Sequence, residues 1–570
     1  MRRLRLFVLV TTAALVAAVV LYVGLTLPPA TRILSPAPPS TIYGAYHMHT
    51  SRSDGSGTID DIARAAAEAG LQFVIVTDHG DGTRAPEPPA YQHGVLVIDA
   101  VEVSTDSGHL VALGLTGASP YPLGGEARDT IEDVHRMGGW AVMAHPDSPK
   151  PGLRWRGPGP AADGLEWLNA DSEWRDKPPR RLLTAVGHYV IRAPEAIAAV
   201  FDRPAGSLRR WDQLSRSRAV VTLAGVDAHA RIGLDETEEP RRARTILARP
   251  SYADMFRTLV QAIELPRPLS GVPAADAAVV LAALREGRSY SVVRALALPG
   301  LVSFTASDGV TTAVMGESLA AGGPVAIRAS VPKPSDATVV LLRNGVEVAS
   351  APGGTMTTHT GPEAVYRAEV RLPGHVVPWI VTNAIRVGAP AAARPSAPVG
   401  ELPPAGRLRA IDDLSQWVVE KHPASTAGVR VDDGEVSLAF QLAAGARNSQ
   451  YAAMAFPLSG DDSFDRVTFT VRASAPMRVS VQVRLPLGPD GERWRRSVYA
   501  DTTPRTVTLR LQDFEPAGAP TTRRPIVTRL RSLLLVVDTT HTSPGTAGTV
   551  WLSGISLGAP ADPALVTSGR

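Results

Sequence analysis

Between Tyr43 and about Val293 the chain alternates two hydrophobic rhythms. Short apolar runs with strand character are Tyr43–His49, Phe73–Thr77, Val95–Val103, His109–Leu115, Ala141–His145, Gly164–Leu168 and Val220–Val226. Segments with apolar residues at helical spacing lie between them, among them Ile59–Ala69, Thr130–Met137, Leu208–Arg216 and Ala274–Arg285. That alternation predicts a mainly parallel sheet with helices outside it, and the span is the size of a (β/α) barrel.

After Pro299 the helical period disappears. Val325–Val331 alternates apolar and polar residues, and Val339–Ala349 holds an Asn344-Gly345 hairpin signal between two strands. Residues 297–388 read as an immunoglobulin-like β-sandwich and 389–405 as a Pro/Ala linker. Residues 406–560, with runs at Val467–Val471, Val479–Leu485, Thr506–Leu511, Leu533–Val537 and Thr549–Leu557, read as a jelly-roll β-sandwich of the galactose-binding type. The expected fold is therefore a barrel over residues 40–296 followed by two all-β sandwich domains. Trp417, Trp494, Tyr499 and Trp551 are candidates for stacking on sugar rings at the last of these, with a buried core position as the commoner fate of such residues.

The first 35 residues change the picture. Arg2, Arg3 and Arg5 precede 22 largely apolar residues, Leu6 to Leu27, enough at 1.5 Å per residue to cross a hydrocarbon core. The positive-inside rule keeps the arginines in the cytoplasm and sends everything after Pro28 across the membrane. The exit Leu27-Pro28-Pro29-Ala30-Thr31 fits a small-residue cleavage site poorly, so a retained single-pass anchor is the reading and a cleaved signal with secretion the alternative. Ser35–Ser40 read as an extended spacer.

The formal net charge is only +3, which gives no case for a nucleic-acid partner. With no cysteine in the chain, thiolate metal sites, cysteine nucleophiles and disulfides are excluded. Metal chemistry has to run on His, Asp and Glu, and nine of the thirteen histidines fall between positions 47 and 229.

Their placement points to a metal site. His47 and His49 end one strand run and Asp227 and His229 another, and strand period two would put each pair on one face. His79 and His145 also follow strand runs, and Glu102 lies among valines. One buried His or Glu at a strand end is usually a hydrogen-bonded structural residue. Many ionisable groups at the ends of core strands would each cost several kcal/mol without compensation, which divalent cations supply. Imidazole with carboxylate suits Zn, Mn or Fe.

The stretches Tyr46–Gly55 (YHMHTSRSDG), Val74–His79 (VIVTDH), Val101–Ser104 (VEVS), Gly108–Leu110 (GHL), Met143–Pro146 (MAHP) and Gly225–His229 (GVDAH) resemble, in order, the motifs of the polymerase-and-histidinol-phosphatase (PHP) family. The resemblance implies a distorted seven-stranded (β/α) barrel holding two or three divalent ions. It implies one ion on His47, His49, Glu102 and Asp227, a second sharing Glu102 with His109 and His145, and a third on Asp54, His79 and His229. Asp54 stands where some members carry His, so the metal stays open. It further implies hydrolysis of a phosphate ester by a metal-activated hydroxide, with Glu102, Asp227 and His229 as catalytic residues. The substrate would be a phosphorylated small molecule, glycan or lipid. The competing reading is a non-catalytic surface protein with a metal-stabilised barrel that binds glycan or a partner. Arg52, Lys150, Arg154 and Arg231 are candidates for a phosphate oxygen or plain surface charges. Asp78 and Asp147 are candidates for orienting an imidazole or for capping a turn.

Overall fold

The computed structural model describes residues 2–34, 40–157, 161–233, 245–247, 249–265, 267–320, 323–331, 336–360, 363–388, 405–445, 450–459, 464–485, 491–518, 522 and 524–560. The expected linker lies outside them but for Ala405, as does the spacer but for Ser40. The N-terminal half is mixed α/β and the C-terminal part is all-β.

Two sheets frame the α/β region. One orders Val221–Gly225, Gly164–Asn169, Trp140–Met143, Gly108–Leu113 and Val101–Thr105. The other places Ser289–Val292, Val260–Glu264, Thr41–Tyr46, Phe73–Val76 and Val95–Asp99 side by side. Their strands are buried along nearly their whole length because helices cover the outer faces. Ile59–Glu68, for example, starts at a Thr58–Asp61 capping box and buries Ile62, Ala63 and Ala66.

Both sheets are mixed, which corrects the mainly parallel expectation. Thr41–Tyr46 with Phe73–Val76, and Gly164–Asn169 with Val221–Gly225, are parallel. Val101–Thr105, Gly108–Leu113 and Trp140–Met143 run antiparallel. The turn between Thr105 and Gly108 is only Asp106-Ser107, and so short a connection reverses the chain.

Nor do the strands close into the expected barrel as one continuous ladder. The two sheets meet through single bridges, Met48 to Ala228 and His79 to Glu102. His47 and Asp227 have left-handed backbones, φ 68° and 50°, which end their strands three residues and one residue short of the runs read from the sequence. The ladder stops where the histidine-rich segments begin.

The region after Pro299 continues the second sheet. Tyr290, Ser291 and Val292 pair with Thr382, Val381 and Ile380, so strands from both sides of the 296/297 boundary share one sheet. The Asn383 side chain fastens the junction, accepting from Thr222 N (2.7 Å) and donating to Thr222 O (3.1 Å) and Ser289 O (3.0 Å). Strands Thr338–Arg343 and Val346–Pro352 form the hairpin expected at Asn344-Gly345, both of whose φ angles are positive. A four-stranded sheet, Thr312–Val314, Ser303–Ser307, Val325–Ser330 and Thr355–Thr360, completes this region.

The C-terminal part consists of two six-stranded sheets. It meets the α/β region along the helix Ala127–Arg136. The Arg478 guanidinium is fully buried there and donates to both oxygens of Asp133 at 2.7 Å. Beside it Arg495 meets Glu126 at 2.6 Å, and the Ser497 hydroxyl donates to Asp129.

The helix Arg2–Thr26 meets this body near its C-terminal end, where Tyr22 and Thr26 face Thr184 and His188. Its Leu4–Thr26 portion has a mean hydropathy of 2.7 and none of it is buried, so by length and composition it can cross a membrane.

Candidate metal centre

The nine residues singled out from the sequence come together in one cluster. They form four overlapping groups with ligand atoms within 4.8 Å of one another: His49, Asp54, His79 and His229; His47, His145 and Asp227; His47, His49 and Glu102; His79, Glu102 and His109. His47, His49, His79 and Glu102 each belong to two of these groups.

Glu102 is the hub. Its Oε2 lies 3.2 Å from His47 Nε2 and 3.3 Å from both His49 Nε2 and His79 Nδ1. Its Oε1 lies 2.9 Å from His109 Nδ1 and from His145 Nε2. Five imidazole nitrogens face one buried carboxylate, more than its lone pairs accept along good directions. The fully buried His49 Nε2 makes no hydrogen bond, although Asp227 Oδ1 is 3.2 Å away. Such a donor set fits cations lying between the side chains, with carboxylate oxygens and imidazole nitrogens converging on each.

The strand ends that place these groups are bent to do so. His47, His145 and Asp227 all have positive φ, which is uncommon outside glycine and clusters at functional sites. The period-two argument from the sequence therefore reached the right pair by the wrong geometry. His47 lies beyond the end of its strand, and a left-handed residue turns its ring inward to 5.2 Å from that of His49. His49 in turn stacks between His79 and His229, at centroid distances of 4.6 and 4.4 Å.

Charge is concentrated here. Burial opposes ionisation of Glu102, but His79, His47 and His109 outweigh it and hold the carboxyl well below the usual range. Asp227 is depressed in the same way by His47 and His49. Burial works against charge on His47, yet Asp227, Glu166 and Glu102 push its imidazole well up, and against the same burial the adjoining Asp227 and Glu102 carboxylates bring His49 to about 10. His79 goes the other way, pushed down to about 4 by burial. Glu102 and Asp227, held ionised among imidazoles, make a strong cation trap once those imidazoles give up their protons.

One side of the cluster is open. Glu102, His47 and His49 are sealed, whereas His79, Asp54 and His229 keep side-chain exposures of 24%, 17% and 17%. Arg231 stands at that edge, 4.0 Å from Asp54 Oδ2. The other basic candidates have different duties: Arg52 pairs with Glu87, and Arg154 donates to Ser148 O.

Two residues that complete the centre were not singled out from the sequence. Glu166 accepts from His47 Nδ1 (2.6 Å), His145 N (2.7 Å) and Asn169 Nδ2 (2.9 Å). The Asn169 amide also donates to Asp227 Oδ2 at 3.0 Å. A proton fixed on Nδ1 leaves the His47 Nε2 lone pair facing Glu102 and Asp227. Gly225 is required beside it, because a Cβ there would come within 2.4 Å of the Glu166 carboxylate. Asp78 and Asp147, the candidates for this orienting role, do other work. Asp78 accepts from Thr50 N, Thr50 Oγ1 and Ser53 Oγ and fixes the loop after His49, and Asp147 accepts from Ser207 N. His93, His135 and His188 lie elsewhere, bonded to Asp60, Asp163 and Thr26.

Of the aromatic candidates for sugar stacking, Trp417 and Trp494 are buried in the C-terminal core. Tyr499 is covered by Arg136 at 3.6 Å and Trp551 by Arg472 at 4.0 Å.

No family model matches the chain. A stretch of 91 residues, 16% of the chain, is 32% identical to an uncharacterised protein of Methanocaldococcus jannaschii, and the match spans about half (52%) of that relative's length. Among solved structures, the family 11 carbohydrate-binding module of a Clostridium thermocellum cellulosomal cellulase is similar over 28% of this chain and 98% of its own, with 15% identity and a TM-score of 0.23. A family 29 carbohydrate-binding module is similar over 28% of this chain and 95% of its own, with 12% identity and a TM-score of 0.19.

Proposed function

We propose that the chain is a membrane-anchored, extracytoplasmic phosphoesterase of the PHP type, using two or three divalent ions held by His47, His49, Asp54, His79, Glu102, His109, His145, Asp227 and His229. The single observation that carries this reading is the crowding of five imidazole nitrogens on the buried Glu102, with an open face at Asp54, His79 and His229. A purely structural site closes its coordination shell, whereas a catalytic one keeps a face for substrate.

When bound, the ions supply Lewis acidity towards a phosphoryl oxygen and acidify a water. The chain's own residues do the rest. Glu102 turns one oxygen to His47, His49 and His79 and the other to His109 and His145, so it would be shared between ions held on the two sides. Glu166 and Asn169 hold His47 and Asp227 in the orientation that binding needs. Arg231, at the open edge, is placed to pair with a non-bridging phosphate oxygen, and its planar fork suits that partner. His229 donates through Nδ1 to the Asp227 carbonyl at 3.0 Å, which directs its Nε2 at Asp54, 3.1 Å away.

The Leu4–Thr26 helix, preceded by Arg2 and Arg3, supports a single-pass anchor with the body outside the cytoplasm. The test is elemental analysis of the purified full chain, followed by turnover of chromogenic phosphate mono- and diesters with added Mn or Zn. Two or three equivalents of metal and metal-dependent turnover are expected. Less than one equivalent after reconstitution would overturn the metal reading, and metal without turnover of any ester would overturn the enzyme.

A further inference from the structure

The helix Pro179–Tyr189 presents an apolar face that none of the described residues covers. Leu183, Val186 and Val190 are 73%, 65% and 84% exposed, and Ile191 beside them 58%. Positions 183, 186 and 190 follow helical spacing and form one stripe, while His188 on the opposite side is buried. From Lys177 to Arg192 there is no acidic residue, and Arg180, Arg181 and Arg192 flank the stripe. A soluble surface seldom leaves so many aliphatic side chains together.

Another face of the same helix, carrying Thr184, Gly187 and His188, packs on the outer end of the apolar N-terminal helix. Tyr22 Oη and Thr184 Oγ1 are 3.0 Å apart, and Thr26 Oγ1 and His188 Nε2 2.9 Å. A Cβ on Gly187 would already touch Val23 at 3.5 Å, so the two helices run close there. The chain then stays fastened to the body as it leaves. Arg192 donates to Pro28 O at 2.6 Å, and Thr31 donates through both N and Oγ1 to Glu195 Oε1 at 3.0 and 2.9 Å. Arg32 and Ile33 form a short parallel pairing with Ala297 and Leu298. The anchor is thus joined to the body without a free spacer at this point, and the depth of one fixes the depth of the other. Tyr22 lies roughly 6 Å along the helix axis from Thr26. A helix in contact with both residues sits at the level where a membrane helix passes from hydrocarbon into headgroups.

We infer that the Pro179–Tyr189 helix and the Val190-Ile191 turn lie in the outer headgroup layer of the bilayer, beside the exit of the membrane helix, and hold the α/β region down on the lipid surface. The inference rests on the reading of Leu4–Thr26 as a membrane span. An amphipathic basic helix of this kind sinks its apolar face about 5–10 Å into the headgroup and acyl boundary and keeps its cations among the phosphates. Trp174, exposed on the turn leading into the helix, suits the same layer. The occupant is a lipid surface and not a second protein, because the helix that carries the stripe packs beside an apolar helix that is itself exposed along its length.

The chain has no cysteine, so single-cysteine labels report cleanly on depth. Four full-length variants, Val186→Cys, Val190→Cys, Val310→Cys and Val16→Cys, are labelled with a polarity-sensitive fluorophore and reconstituted into phosphatidylcholine–phosphatidylglycerol vesicles. Val310, 95% exposed in the loop between Ser303–Ser307 and Thr312–Val314, reports the aqueous level, and Val16 reports insertion of the anchor. Quenching by nitroxide-bearing lipid is expected to be severalfold stronger at 186 and 190 than at 310, and quenching by aqueous iodide correspondingly weaker. A quenched label at 16 with 186 and 190 behaving like 310 overturns the inference and leaves the anchor standing. Loss of lipid quenching at 16 overturns both. Protection from iodide at 186 and 190 without lipid quenching marks a protein covering and refutes the lipid assignment.

Discussion

Replacing Glu166 by glutamine changes almost no volume, yet the expected effect on metal binding is large. The carboxylate receives three donors: His47 Nδ1 on Oε1, and His145 N with Asn169 Nδ2 on Oε2. A glutamine has one oxygen and one NH2 group. With the NH2 turned towards His47, the imidazole must accept there and carry its proton on Nε2, the atom that faces Glu102 and Asp227. With the NH2 turned the other way, it meets two donors. Either arrangement loses at least one hydrogen bond to a charged group, about 1.5–3 kcal/mol. At about 1.4 kcal/mol per decade that is a 10–100-fold loss of affinity, the range found when partners of metal-binding histidines are removed. Isothermal titration of metal-free Glu166→Gln with Zn or Mn measures it directly, and far-UV circular dichroism checks that the fold persists. Affinity within about twofold of wild type would refute the orienting role.

Three further outcomes are expected. His47→Ala and Asp227→Ala should bring phosphoesterase turnover down to background in a chain that remains folded; undiminished turnover in the double mutant removes these residues from the site. Chelation should lower the melting temperature and re-addition of metal restore it, because an ion present at about 100 times its dissociation constant contributes about 2.7 kcal/mol to the folded state; an unchanged melt after verified metal removal contradicts this. Burial raises the Glu369 carboxyl, but Arg203 and Arg367 outweigh it and hold it at about 2, so its stabilisation is full above the unfolded value of 4.5 and disappears as pH falls through about 2. The gap in urea midpoint between wild type and Glu369→Gln should therefore close on acidification through that window, and a constant gap would contradict it.

Much of the architecture was legible because burial writes itself into hydrophobic rhythm. The helices Ile59–Glu68, Ala127–Arg136, Ala205–Ser215 and Pro273–Arg285 fall on the periodic segments, and most strands lie within a residue or two of the apolar runs, but the run Val95–Val103 divides into Val95–Asp99 and Val101–Thr105 in different sheets and the run Tyr43–His49 ends its strand at Tyr46. Strand direction was not legible in that rhythm, since parallel and antiparallel strands bury the same side chains. The signal was the length of the connection, and Asp106-Ser107 was too short for a crossover. The ligands announced themselves as histidines and acids at strand ends. Glu166 and Asn169 did not, because they act through other side chains from within an apolar strand, GLEWLN. A glutamate at the centre of a wholly buried strand was the available clue. Left-handed backbones at His47, His145 and Asp227 left no mark in the sequence, since none of the three is glycine or asparagine.

The buried contact of Arg478 with Asp133 has a consequence for how the two ends of the chain depend on each other. The helix that carries Asp133 connects the strand Gly108–Leu113, which holds His109, to the strand Trp140–Met143, which leads to His145. Covalent linkage keeps the C-terminal sheets at an effective concentration in the millimolar range, so even a weak intrinsic affinity keeps this contact closed. A guanidinium stripped of water and left without its carboxylate is costly, about 3–5 kcal/mol, so neither surface is at ease alone. The C-terminal part thus acts as a brace on the helix between two metal ligands. Its loss should be felt as looser spacing between His109 and His145, even though it contributes no atom to the centre.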